Sequence, residues 1–165
     1  MDETKRTIYV DMDGVLAKWN PSASAEEVAA RDYFLNRKAD RNIVLAVMRL
    51  KEQYGYDVKV LSAAYTVRAC WEKRQWLDNH GLSDIEAVFV PYGEPKSDYV
   101  DAENSVLIDD FGKNLAEWTG IAIKYYNGIN GHGGTHYKYA VNFYTQPGKI
   151  AEYISRVITQ GEKNR

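Results

Sequence analysis

An α/β fold around a central parallel sheet is expected for this chain, and three observations predict it. Five short apolar runs rich in β-branched residues recur along the 165 residues. Helical patterns ended by glycine fill most of the gaps between them, and strands alternating with helices imply parallel pairing. The first and fourth runs end directly in aspartates, Asp11 and Asp109. In open parallel sheets the ligand lies beyond the carboxyl ends of the strands, so those are the positions to read for chemistry.

The first run is Thr7-Ile8-Tyr9-Val10, followed by Asp11-Met12-Asp13-Gly14. In extended backbone, residues two apart point to the same side, so Asp11 and Asp13 face one pocket while Gly14 lets the backbone approach a ligand. About thirty residues then pass before the next long helix, too many for a tight crossover. Residues 15–42 are read as a small helical cap inserted over the site, within a single domain spanning 1–165. Inside it, Ser24-Ala25-Glu26-Glu27 has capping-box spacing, predicting a short helix through Val28 and Ala29 towards Tyr33 and Phe34.

The remaining elements follow in order. A helix is predicted over 43–54, stopped by Gly55, then a strand over 58–61 ending at Ser62. A second helix over 67–80 stops at Gly81, and a strand over 87–90 ends at Pro91. After the loop Tyr92-Gly93-Glu94-Pro95-Lys96, the strand 106–108 delivers Asp109-Asp110. A helix over 113–118 stops at Gly120, and a fifth strand covers 121–123. Ile150, Tyr153, Ile154, Val157 and Ile158 keep helical spacing, so a terminal helix packs on the sheet before a frayed polar tail, 161–165.

Composition narrows the functional classes. Hydrophobic content of 45%, aromatic content of 13% and charged content of 27% are those of a soluble globular domain with a sizeable core. A formal charge of −2, from 21 basic and 23 acidic residues, provides no basic field for a nucleic-acid polymer or an anionic membrane. The lone Cys70 excludes an intrachain disulfide and reads as a packed thiol. With no signal-peptide pattern, a cytoplasmic protein is expected. Oligomeric state is not legible.

Carboxylates converging from two strand ends repel one another unless a cation lies between them, and Mg²⁺ suits hard oxygen ligands. Ser62 and the amide of Ala63 are suited to phosphate oxygens, and Lys96 supplies the positive charge that lets a phosphate sit beside carboxylates. In the cap, Lys18, Trp19, Tyr33 and Phe34 lie near the pocket entrance, where aromatic rings can stack on a base or form the cap's own core. His132 and His136 have a spacing that shares a metal only on a helix. Four glycines between 127 and 136 argue against one, so the segment is read as a loop beside the site rather than a zinc ligand.

The ordered set Asp-Met-Asp-Gly-Val-Leu, Leu-Ser-Ala-Ala, Lys96 and Leu-Ile-Asp-Asp resembles the four motifs of the haloacid dehalogenase (HAD) superfamily of phosphohydrolases over residues 8–110. That resemblance implies a Rossmann-like three-layer sandwich. More narrowly, Asp11 to Ala17, the cap directly after it and Leu107-Ile108-Asp109-Asp110 resemble the 5′(3′)-deoxyribonucleotidase family. So does the stretch holding Phe111-Gly112-Lys113-Asn114 and Tyr125-Tyr126-Asn127-Gly128. Ala63-Ala64-Tyr65 departs from the Thr-Ser-Pro type of segment in the mammalian members.

The resemblance implies Asp11 as nucleophile, Asp13 as general acid and base, and Ser62, Ala63 and Lys96 on the transferring phosphate. Mg²⁺ would be held by Asp11, Asp13 through its backbone carbonyl, Asp109 and Asp110, with a deoxynucleoside monophosphate as substrate. Two other readings stay open: a HAD phosphatase for another small ester such as a sugar phosphate, and a non-catalytic binder of phosphate ligands with the same fold.

Overall fold

The computed structural model describes residues 5–163. Six strands form one sheet: β1 (Ile8–Val10), β2 (Val58–Ala64), β3 (Ala87–Pro91), β4 (Val106–Asp109), β5 (Ile121–Tyr126) and β6 (Ala140–Asn142). All pairings are parallel, in the order β3-β2-β1-β4-β5-β6. Both faces are covered, as a parallel sheet requires. Ile8, Val10, Val60, Val106 and Ile108 face the larger core, shared with buried residues of α2 (Arg41–Glu52), α3 (Val67–Asn79) and α5 (Pro147–Lys163). The alternate residues Tyr9, Leu61 and Leu107 face a smaller core with Leu115 of α4 (Gly112–Glu117) and Trp118. This is an α/β three-layer sandwich.

Several boundaries differ from the sequence reading. β2 runs through Ala64, so Ser62 and Ala63 lie inside the strand, paired with Phe89 and Val90. α5 includes residues 161–163 of the tail expected to fray; 164 and 165 lie outside the described residues. β6 is not anticipated by the sequence reading, because its three residues Ala140, Val141 and Asn142 include one polar side chain and make no apolar run, and no helix marks the 127–139 connection from β5.

The segment between β1 and α2, the one read as a cap in the sequence, carries a short helix. Its base is a stem in which Lys18 N donates to Lys38 O and Asp40 N to Leu16 O, both 2.8 Å, with an antiparallel bridge between Ala17 and Ala39. Within it, α1 (Ala25–Ala29) begins with the full capping box: the Ser24 hydroxyl accepts from Glu27 N and the Glu27 carboxylate accepts from Ser24 N. The helix stops at Ala29, where Ala30 turns extended, so Tyr33 and Phe34 lie in the following turns rather than on its axis. They bury against Ala64 and Ala69, with Cys70 half-buried beside them. Among the described residues, no helix is long and apolar enough to cross a membrane.

Candidate active site at the switch point of the sheet

Strand order diverges at β1, which lies between β2 and β4, and the crevice beyond such a point is where open α/β sheets hold ligands. Asp11 leaves β1 with its N–H donating to Ile108 O of β4 (2.9 Å), which fixes the two strand ends to each other. One carboxylate oxygen each of Asp11, Asp109 and Asp110 lies within 4.8 Å of the others. Asp11 and Asp109 are buried, Asp109 completely.

Lys96 enters this cluster from the short 3₁₀ turn Lys96–Asp98, its ammonium donating to Asp11 Oδ1 (2.8 Å) and Asp109 Oδ2 (2.7 Å). Asp109 is held further by Phe111 N on Oδ1 (2.8 Å) and Asn114 Nδ2 on Oδ2 (3.0 Å). Among the described residues no donor engages Asp11 Oδ2.

Burial pushes the Asp11 carboxyl well above the ordinary carboxylate range; the Asp109 charge adds to the push and Lys96 opposes it. Burial, then the charge of Asp109, pushes Asp110 up to about 7. Burial acts to lower the pKa of Lys96, but Asp11 and Asp109 outweigh it and hold it above the usual lysine range. Ionising all three carboxylates would leave two negative charges beyond the Lys96 ammonium, which is the charge a divalent cation carries. The donors are all hard oxygens, which fits Mg²⁺.

Asp13 is elsewhere. Its carboxylate is not in the three-membered cluster and instead accepts from Lys73 Nζ at 2.5 Å. Of the four residues read as metal ligands, Asp13 therefore offers the cluster no side-chain oxygen. Lys73 was missed by the sequence reading. It projects from α3, is 1% exposed, and also donates to Ser62 Oγ (3.1 Å) and Ala63 O (2.6 Å). It thus joins Asp13, Ser62 and Ala63 into one patch. A signal was present: Lys73 stands four residues after Ala69 and three before Trp76, on the buried face of the helix.

Phe34 lies over the Lys73 ammonium, 4.6 Å from its ring centroid. Beyond it, the cap and α3 enclose a cavity of about 440 Å³ walled by Trp19, Val28, Phe34 and Tyr65, with Arg68 and Glu72 adding charge. Tyr65 stacks on Tyr92 at 3.9 Å between centroids, presenting a flat aromatic surface after β2. Of the four cap residues singled out in the sequence, Trp19 and Phe34 line this cavity, and Lys18 and Tyr33 do not. The structure leaves His132 and His136 against Phe143 and Tyr137, outside the carboxylate cluster.

No protein-family model matches the chain, and no curated protein matches it. Among solved structures, it is similar to a crystal structure of an uncharacterized protein from Corynebacterium glutamicum. The identity is 18%, the alignment covers 96% of each chain and the TM-score is 0.40. The fold is carried by the parallel strand order itself.

Proposed function

We propose that the protein is a Mg²⁺-dependent phosphatase of the HAD type that hydrolyses nucleoside monophosphates, deoxyribonucleotides foremost, through an aspartyl-phosphate. The observation that carries this reading is the division of labour among the four aspartates. Asp11, Asp109 and Asp110 share one cluster, while Asp13, two residues from Asp11, is held apart on Lys73. A cation site alone has no need of a separate carboxylate so held.

Asp11 attacks phosphorus through Oδ2, its oxygen without a protein donor, and the bond to the leaving oxygen breaks as the acyl phosphate forms. Asp13 protonates that leaving oxygen and then takes a proton from the water that hydrolyses the intermediate, returning phosphate and free Asp11. Lys73 orients Asp13 for both transfers. The Ser62 hydroxyl, which accepts from Lys73, keeps its own proton to donate to a phosphate oxygen. Lys96 keeps positive charge beside Asp11 as the phosphate dianion approaches.

Asp11, Asp109, Asp110 and the backbone carbonyl of Asp13 would hold Mg²⁺, which supplies charge neutralisation for the transferring group. The cavity behind Phe34 takes the organic part of the ester. Its aromatic walls and its volume favour a planar base over a sugar alone.

Phosphate release from a panel of 5′ and 3′ nucleoside monophosphates, ribo and deoxy, and sugar phosphates tests the substrate. The deoxynucleotides are expected to be hydrolysed fastest. Equal rates on sugar phosphates remove the nucleotide assignment, and no release from any ester leaves a phosphate-binding protein of this fold.

A further inference from the structure

The glycine-rich loop after β5 has its first residue turned into the carboxylate cluster. Asn127 uses both ends of its side chain. Oδ1 accepts from Ile129 N (3.0 Å) and Asn130 N (3.1 Å), closing the turn in which it sits. Nδ2 donates to Gly14 O (2.9 Å) and to Asp110 Oδ2 (3.2 Å), reaching the segment after β1 and the one after β4 together. The rest of the loop supports the same residue. Asn130 Nδ2 donates to Asp110 O (3.2 Å) and Tyr125 O (2.9 Å), Asn130 Oδ1 accepts from Asn127 N (2.9 Å), and Lys124 donates to Asp110 O (2.6 Å). Asp110 is thereby gripped by its backbone from one side and by one carboxylate oxygen from the other.

Gly14 completes the arrangement. At φ +80° a Cβ there would stand 2.2 Å from Asp110 Oδ2, so the carboxylate occupies the space that glycine leaves open. The carboxylate is caught between Gly14 and the Asn127 amide.

We infer that Asn127 is a positioning residue for the cation site: its amide donor fixes the orientation of the Asp110 carboxylate and ties it to the Asp11-Gly14 segment. The inference rests on the Mg²⁺ site proposed above. An amide is required because a single side chain must accept from the turn and donate to the carboxylate, which neither Asp nor Ser does at this reach. Partners behind a metal ligand commonly set affinity by 10–100-fold.

Calorimetric titration with Mg²⁺ alone, on the wild-type chain and on Asn127→Ser, tests it. Ser retains a weaker turn acceptor but is too short to reach Asp110. The expected result is Mg²⁺ affinity lowered about tenfold or more, with thermal unfolding of the metal-free variant close to wild type. Unchanged affinity overturns the inference, as does a variant that is unfolded without metal, which would make Asn127 a folding residue only. A second readout needs no variant: the Asn127 side-chain amide resonances of the wild-type chain should shift on addition of Mg²⁺, and their failure to move while Mg²⁺ binds contradicts the assignment. If wild type binds no Mg²⁺, the parent reading fails; if it binds and Asn127→Ser binds equally, only this inference does.

Discussion

Gly14 meets the carboxylate cluster at Asp110 and Lys96 meets it at Asp11 and Asp109, and each predicts a distinct failure. Gly14→Ala forces a left-handed residue and places its methyl against Asp110, so destabilisation of about 1–3 kcal/mol is expected from the backbone alone. Urea unfolding without metal measures it, and a variant as stable as wild type would mean that Asp110 swings away at little cost. Lys96 is 4% exposed and is the cation the structure places on Asp11 and Asp109. Removing one partner of a buried pair leaves uncompensated charge, so Lys96→Met should cost roughly 3–5 kcal/mol without metal. Saturating Mg²⁺ should recover part of that loss.

How far these residues were legible depends on how local their signal is. Asp11, Asp13, Asp109 and Asp110 stand at strand ends, and Lys96 follows a turn loop, so short patterns expose them. Lys73 and Asn127 act across 60 and 113 residues of chain, on Asp13 and Gly14. Lys73 sits inside the charged run Glu72-Lys73-Arg74, which reads as a solvated helix face until the packing of Ala69 and Trp76 is known. Asn127 reads only as a turn former, since nothing in Asn127-Gly128 indicates where its free amide points.

α3 is the element that couples the cap to the Asp13 carboxylate. Glu72, 2% exposed, accepts from Asp32 N (2.9 Å) and Phe34 N (3.3 Å), while Arg68 donates to Ala29 O (2.6 Å). Asp32 has φ +62°, so the turn that presents Phe34 is strained and held by this carboxylate. The next residue, Lys73, holds Asp13. Glu72→Ala leaves two backbone donors without their acceptor, costing about 1–3 kcal/mol each where they stay buried. It should also raise KM for the preferred nucleotide more than it lowers kcat. Steady-state kinetics on that nucleotide and on a small aryl phosphate check this: the KM effect should be confined to the nucleotide, and an equal effect on both would mean that the cap does not contact the base.

For the whole molecule, the site sets how stability depends on pH and metal. The folded pKa of Asp11 and of Asp110 is raised, Asp110 to about 7 from an ordinary 3.8. The stability linked to Asp110 is therefore full below the unfolded carboxylate pKa and is lost as pH rises through about 7, and that linked to Asp11 changes in the same direction. Mg²⁺ held at the proposed site would bind the ionised forms and compete with protons, so it would reverse this trend. The rise in unfolding temperature on adding Mg²⁺ should be larger at pH 8 than at pH 5.5. An equal rise at both would place the cation away from these two carboxylates.

Elsewhere, Tyr125 is buried and donates to Asp40 Oδ2 at 2.7 Å, tying β5 to the foot of the cap. Its pKa is raised by burial and by that bond, so its stabilisation is present below about 10 and lost above it.

The proposed function turns on Asp11 acting as a nucleophile on a phosphate ester with Mg²⁺ present. It is tested most directly by phosphate release from deoxynucleoside 5′-monophosphates, comparing wild type with Mg²⁺, wild type with EDTA, and Asp11→Asn with Mg²⁺. Release is expected in the first case and background in the other two, with Asp11→Asn still folded. Release that survives EDTA or the Asp11→Asn substitution would contradict it.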